Sequence, residues 1–120
     1  MTGFLDLLSA RTDSEVFQPG EPIYLQGEPG SLLFVLLAGE VDLDIAGETV
    51  GSVGPGEVFG EGALLGEPKR ATTARARTAV RVAPVGPALY QVLAQRAPEI
   101  AAAVLEARRR HSNDSKGDMG

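Results

Sequence analysis

The chain has 120 residues, a formal net charge of −5 at pH 7 and 43% hydrophobic residues, which suits one compact domain with a core of its own. It contains no cysteine and one histidine, His111, which excludes disulfides, thiolate or histidine-cluster metal sites and cysteine- or histidine-triad catalysis, so we expect no enzyme activity and no metal or cofactor. No run of eighteen apolar residues occurs and residues 1–10 lack the features of a secretory signal, so we expect a cytoplasmic protein without a membrane span.

The chain begins with a short apolar helical stripe and continues into a β region. Phe4, Leu5, Leu7 and Leu8 have the spacing of one helix face, which predicts a short N-terminal helix. From residue 15 to residue 85, short apolar runs alternate with turn signals at the spacing typical of an all-β roll or sandwich. The turn signals lie at residues 19–20, 27–30, 47 and 54–56.

Two segments of this region predict particular strands. Val41, Leu43 and Ile45 alternate with acidic residues, which indicates a half-buried strand whose odd positions face the core. Residues 32–37 form a continuous apolar run between Gly30 and Gly39, which favours a strand buried on both faces.

After Val85 the apolar period becomes helical. Pro87 and Pro98 occupy positions typical of a first helical turn, which predicts two amphipathic helices with a hinge near Ala97. Residues 112–120 are small and polar, so we expect a disordered tail there and a single domain over residues 1–111. The predicted fold class is mainly β with flanking helices.

Residues 59–76 contain the most informative pattern. One carboxylate, Glu61, precedes one guanidinium, Arg70, by nine residues, and small residues surround both. A turn of small residues lets backbone N–H groups approach an anion, and an arginine offers a planar fork of donors to two phosphate oxygens. Glu61 can accept hydrogen bonds from sugar hydroxyls. The segment therefore predicts a site for a phosphorylated sugar.

The distribution of charge agrees with an anion site in the second half of the chain. Residues 1–68 contain twelve acidic side chains and one basic one, whereas residues 69–120 contain ten basic and four acidic ones. Basic clusters also attract nucleic acids. The chain is acidic overall, lacks tryptophan and shows no further helical domain that would enter a groove, so we expect no DNA binding.

The same segment resembles the phosphate-binding cassette of cyclic-nucleotide-binding domains, whose pattern is Phe-Gly-Glu-(apolar)-Ala, a short spacer, then Arg-(Ala/Ser/Thr)-Ala. Residues 17–21, 26–30, 33–41 and 53–60 are similar to the family's upstream turns and strands, in the family's order, so the resemblance covers about residues 4–110. It implies a double-stranded β-roll (jelly-roll-like) with a short N-terminal helix and two C-terminal helices, and a cyclic nucleotide as ligand.

The resemblance also implies roles for single residues. Arg70 would pair with the cyclic phosphate and Glu61 with the ribose 2′-hydroxyl; the alternatives are an exposed strand arginine and a carboxylate that stabilises a helix N-terminus. Backbone amides near the phosphate, and side chains that cap the base from the last helix, would complete the site. The candidate amides belong to Gly60, Gly62, Ala63 and Ala71, and the candidate caps are Arg108 and Arg109, with Arg110 and His111 beside them. The alternative for these cations is to complement the helix dipole.

Three residues of the segment bear on affinity and specificity. Gly62 replaces the family's usual apolar residue, which removes a packing contact to the sugar and raises flexibility. Thr72 stands where alanine is common, and its hydroxyl would bond to the ligand or to local backbone. Ala71 occupies the position at which a threonine or serine hydroxyl favours guanine, so its methyl group favours cyclic AMP over cyclic GMP.

These observations predict a stand-alone cyclic-nucleotide sensor that signals by movement of its C-terminal helices to a protein effector, with a homodimer through the last helix as a further expectation. The alternative is a degenerate module of the same fold that binds another protein and no nucleotide. Gly62 and the positive charge of the last helix motivate that alternative.

Overall fold

The structure, a computed structural model, describes residues 3–10 and 13–116, with side chains as far as Arg110. Two four-stranded antiparallel sheets form a roll in this part of the chain, with one helix before it and two after it. The helices are α1 (Phe4–Ser9), α2 (Pro87–Arg96) and α3 (Glu99–Lys116). The strands are β1 (Glu15–Phe17), β2 (Pro22–Tyr24), β3 (Leu33–Ala38), β4 (Val41–Ile45), β5 (Glu48–Val53), β6 (Val58–Phe59), β7 (Thr73–Ala76) and β8 (Val80–Val85), and a 3-10 turn spans Glu61–Leu64.

The sheet orders are β1-β8-β3-β6 and β2-β7-β4-β5. Strands distant in sequence are therefore neighbours: β2 pairs with β7, and β3 pairs with β8. This arrangement confirms the mainly β roll with flanking helices that the sequence predicted. It also brings the segment around residue 70 against the turn at residues 25–30.

Strand β3 separates two hydrophobic cores. Leu33 and Val35 pack against the helices, whereas Phe34 and Leu36 lie inside the roll. All four side chains are buried, which confirms the prediction of a strand covered on both faces. On β4, Val41 and Leu43 are buried as predicted, and Ile45 at the strand end is partly exposed.

The helices cover the outer face of the first sheet. Phe4 and Leu8 of α1 and Ile100 and Val104 of α3 are buried in the same core. The Glu99 Oε2 atom accepts a hydrogen bond from the Phe4 amide at 3.1 Å, which joins the start of α1 to the start of α3. These contacts confirm the short N-terminal helix and fix its place.

Pro87 begins α2, and α2 ends at Arg96, so the break near Ala97 and Pro98 lies where the sequence placed it. Helix α3 continues to Lys116, five residues beyond the predicted domain end at residue 111, because no glycine or proline interrupts residues 99–116. Residues 117–120 of the predicted tail lie outside the described residues. Within residues 3–10 and 13–116, no helix combines the length and the apolar character that a membrane crossing requires.

Candidate functional site

A cavity of about 270 Å³ opens between the 3-10 turn, the loop that carries Arg70, strands β4 and β5, and helix α3. It brings together most of the site residues predicted from the sequence. Those that line it are Gly60, Glu61, Gly62, Ala63, Arg70, Ala71, Thr72 and Arg108. Residues that the sequence did not predict as site residues also line it: Tyr24, Gly30, Leu43, Val50, Glu67 and Lys69.

The backbone of Arg70 is fixed by the turn that follows β2. Its amide donates to the Glu28 carbonyl at 2.8 Å, and its carbonyl accepts from the Gly27 amide at 2.9 Å. An isolated bridge between Pro29 and Lys69 extends this pairing. Backbone hydrogen bonds to residues 27–29 therefore fix the position of residue 70.

The guanidinium of Arg70 lies between two glycines. Its Nη1 donates to the Gly60 carbonyl at 3.2 Å, and Gly60 has a left-handed φ of 72° that favours glycine. A Cβ atom at residue 30 would lie 2.7 Å from the Arg70 Nη2 and would overlap Nε. Both glycines therefore make room for the arginine side chain.

Tyr24 supports the same guanidinium from one face. The Arg70 Cζ atom lies 4.2 Å from the centroid of the Tyr24 ring and 5.6 Å from that of Phe34. Tyr24 in turn stacks on Phe34 and Phe59, with ring centroids 6.0 and 6.2 Å away. A cation over an aromatic face is attracted by the ring quadrupole, so this cluster orients the charged group.

The Nε atom of Arg70 is buried and has no hydrogen-bond partner among the described residues. Buried polar groups in proteins nearly always have a partner, and an unsatisfied donor is costly. This N–H is therefore a donor for which the described part of the chain supplies no acceptor.

Glu61 lies beside the arginine in the same cavity. Among the residues whose side chains are described, Glu61 is the only charged residue that is buried, with 4% of its surface exposed. Burial raises the pKa of Tyr24 to about 12, with a smaller contribution from the charge of Glu61, while a hydrogen bond with Thr72 and the charge of Arg70 act in the opposite direction. The Thr72 side chain thus interacts with Tyr24, a residue that the sequence did not suggest as its partner.

A sequence model of the family described as "Cyclic nucleotide-binding domain" matches residues 14–96. The chain belongs to this family. The match includes the cavity residues contributed by β2, the 3-10 turn and the Arg70 loop, and the family is one of ligand-binding regulatory domains.

Known proteins similar to this chain include a cAMP-dependent protein kinase regulatory subunit of Emericella nidulans, 41% identical over 76 residues, which are 62% of this chain and 18% of that protein. A cGMP-dependent protein kinase of Toxoplasma gondii is 41% identical over 59 residues, 48% of this chain and 6% of that protein. The crystal structure of the Thermus thermophilus catabolite activator protein is similar with a TM-score of 0.72 and 32% identity, over 96% of this chain and 57% of that one. The chain thus spans less than two thirds of each of these proteins.

In this cyclic-nucleotide-binding domain, Gly62 has a packing role. A Cβ atom at residue 62 would lie 2.9 Å from the Glu67 Cδ and closer still to a carboxylate oxygen. The Glu67 side chain thus occupies the space next to Gly62. From there Glu67 accepts a hydrogen bond from the Arg108 guanidinium of α3.

The arginines predicted to cap the base fall in different places. Arg108 lines the cavity. Arg109 points away from it, with a 70% exposed side chain that pairs with Glu106 of the same helix. Arg110 pairs with Glu57 at 2.7 Å. The side chain of His111 lies outside the described residues, so the capping prediction is carried forward for Arg108 alone.

One predicted amide donor is already engaged. The Ala63 amide donates to the Gly60 carbonyl at 3.3 Å and closes the 3-10 turn. A ligand at this turn would share that donor. The described part of the chain brings together no group of three histidine, cysteine or carboxylate side chains that would hold a metal ion.

Proposed function

We propose that the cavity binds a cyclic nucleotide, with Arg70 pairing with the exocyclic oxygens of the cyclic phosphate. The observation that carries this proposal is the half-buried side chain of Arg70, which lines the cavity and whose buried Nε donor has no partner among the described residues. A hydrogen bond from a charged donor is worth about 1.5–3 kcal/mol, so a phosphate would satisfy this group better than a neutral acceptor.

The remaining lining residues suit the rest of the ligand. Glu61 presents a buried carboxylate that can accept from the ribose 2′-hydroxyl. Lys69 adds a positive charge to the same cavity, while Leu43 and Val50 supply an apolar wall. The methyl group of Ala71 offers no hydroxyl to a guanine, so we propose cyclic AMP as the preferred ligand and cyclic GMP as the weaker one.

The ligand would act as a signal, and the domain would not catalyse a reaction. Helix α3 contributes Arg108 to the cavity. The helical structure is interrupted at Ala97 and Pro98, between the end of α2 and the start of α3. A ligand that prefers one position of α3 shifts the equilibrium toward it by its differential affinity. We propose that a protein effector responds to this position of α3.

The test is titration calorimetry of the protein with cyclic AMP and with cyclic GMP. We expect cyclic AMP to bind more tightly, Arg70→Ala to lose about 10-fold or more in affinity, and Arg70→Lys to recover only part because an ammonium lacks the planar fork. Arg77→Ala is the matched control, since Arg77 pairs with Asp42 at 2.7 Å and does not line the cavity. Absence of binding by wild-type protein at millimolar ligand, or equal losses in the Arg70 and Arg77 variants, would contradict the proposal.

The alternative of a degenerate protein-binding module has less support than it had from the sequence. Gly62, which motivated it, is accounted for by the packing of Glu67. On α3, Val104 is 5% exposed and belongs to the domain's own core, whereas Leu105 is 68% exposed. Because Leu105 is exposed on the last helix, it can be used to test the predicted homodimer. Light scattering should show a dimer for wild-type protein and a monomer for Leu105→Glu.

A further inference from the structure

Glu67 and Arg108 join two elements on the rim of the cavity. Glu67 follows the 3-10 turn, and Arg108 lies 41 residues later in the third turn of α3. Both side chains line the cavity, and both are about two-fifths exposed, at 38% and 41%. Their ion pair therefore spans the rim from the cassette to the C-terminal helix.

Gly62 is what gives Glu67 this position. The space that a Cβ atom would need at residue 62 is occupied by the Glu67 carboxyl group. The backbone supports the same placement, because the Glu67 amide donates to the Gly62 carbonyl at 3.0 Å. A leucine, methionine or isoleucine at residue 62 would displace the carboxylate from its place opposite Arg108.

An arginine side chain without a partner samples many rotamers, and a carboxylate that accepts from it restricts them. The hydrogen bond to Glu67 therefore restricts the direction of the Arg108 side chain at the rim of the cavity. The cavity of about 270 Å³ persists with the pair formed, so the pair does not fill the site. The ion pair therefore lies at the rim of the cavity and leaves its interior open to a ligand.

We propose that Glu67 is a positioning residue that fastens Arg108 of α3 over the bound ligand, and that Gly62 is the change that makes room for it. This inference rests on the proposed function, because the cap matters only if a nucleotide occupies the cavity. On this view the glycine does not mark a degenerate site. It leaves room for the carboxylate of an ion pair that links the rim of the cavity to α3.

The main experiment measures the release rate of a fluorescent cyclic AMP analogue by stopped flow. Partly exposed ion pairs contribute about 0.2–1 kcal/mol, so Glu67→Gln and Arg108→Gln should each speed release about 1.5- to 5-fold. The double variant should be no faster than the faster single variant, since either change removes the same pair. High salt should speed release in wild type and have less effect in Glu67→Gln.

Further variants separate positioning from a merely structural role. Gly62→Leu should release the ligand as fast as Glu67→Gln. A double variant in which the charges are exchanged, Glu67→Lys with Arg108→Glu, should release the ligand more slowly than Glu67→Lys alone or Arg108→Glu alone. Glu106→Gln is the matched control, because it breaks the Arg109–Glu106 pair on the same helix outside the cavity and should leave the rate unchanged. Unchanged release in Glu67→Gln and Arg108→Gln, or fully additive effects in the double variant, would overturn the inference.

A ligand-free measurement distinguishes failure of this inference from failure of the proposed function. Amide hydrogen exchange of residues 60–67 and 104–110 should be faster in Glu67→Gln and in Arg108→Gln than in wild type and in Glu106→Gln. If wild-type protein binds neither cyclic nucleotide, the proposed function fails and the cap fails with it, while this exchange pattern still shows whether the pair fastens α3. If wild type binds but the exchange rates and release rates are the same in all variants, only the fastening is wrong.

Discussion

The guanidinium carbon of Arg70 lies 4.2 Å from the centre of the Tyr24 ring, and Thr72, two residues after the arginine, interacts with the Tyr24 hydroxyl. Tyr24 at the end of strand β2 thus packs against one face of the charged group. Tyr24 is 8% exposed, so this arrangement is part of the interior of the roll.

Substitutions at Tyr24 should separate its ring from its hydroxyl. Tyr24→Phe keeps the aromatic face and should lose less than about 5-fold in cyclic AMP affinity, with a loss of stability of at most about 0.5–1.5 kcal/mol from its hydroxyl. Tyr24→Leu removes the face and should lose about 5- to 30-fold, since a desolvated cation–π contact is worth about 1–2 kcal/mol. Calorimetry checks the affinities and urea unfolding the stabilities. Equal affinity in the two variants would show that the ring does not orient the guanidinium.

The raised pKa of Tyr24 predicts a loss of stability in alkali. The ordinary pKa of a tyrosine is 10.0, and the pKa of Tyr24 in the folded protein is about 12. Between these values the folded state retains a proton that the unfolded state has lost, so this contribution is fully present below pH 10 and declines as pH rises toward 12. At about 1.36 kcal/mol per pKa unit, the decline approaches about 2–3 kcal/mol. Urea unfolding at about pH 9 and about pH 11 should show a larger loss in wild type than in Tyr24→Phe, and equal losses would contradict the assignment.

A substitution at Gly30 tests the position of the Arg70 guanidinium without a change of charge. A methyl group at residue 30 would collide with the Arg70 guanidinium, which is the flexible end of a side chain and can move aside. Gly30→Ala should therefore keep the fold and lose about 10-fold or more in cyclic AMP affinity, because a displaced guanidinium cannot form a bidentate contact. Gly54→Ala is the matched control, since its nearest neighbour would be a Glu57 oxygen at 3.8 Å, an ordinary contact. If both alanine variants bind like wild type, the position of Arg70 does not decide affinity.

The sequence predicted the elements and the cassette better than it predicted the contacts across the roll. Alternation on β4 and the apolar run of β3 depend on local pattern, and both were confirmed. Tyr24 was missed because its role arises from the pairing of β2 with β7, some fifty residues apart, which no local spacing reveals. A single aromatic residue at the end of a short strand was the available signal, and it is also typical of an ordinary core position.

Gly62 is a second residue whose role depends on contacts that the local sequence does not reveal. The sequence identified it as a departure from the family and predicted a weaker, more flexible site. The reason for the glycine depends on where the Glu67 carboxylate lies, and that depends on how α3 packs on the cassette. A pair separated by 41 residues has no sequence signature of its own.

Glu61 should give the site its preference for a ribose over a deoxyribose. Its buried carboxylate can accept from a 2′-hydroxyl, and the loss of a hydrogen bond to a buried charged acceptor costs about 1–3 kcal/mol or more. Wild-type protein should therefore bind 2′-deoxy-cyclic AMP about 10-fold or more weakly than cyclic AMP. Glu61→Gln should reduce this ratio to about 3-fold or less, because an amide accepts a weaker hydrogen bond than a carboxylate.

The ratio is the useful quantity, since a general loss of folding lowers both affinities together and leaves it unchanged. Competition of both nucleotides against one fluorescent analogue measures the ratio in a single series. Glu57→Gln provides a control, because Glu57 carries the same charge, pairs with Arg110 and does not line the cavity. A ratio that stays as large in Glu61→Gln as in wild type would assign sugar recognition to another residue, since the carboxylate is the acceptor that the proposal places at the 2′ position.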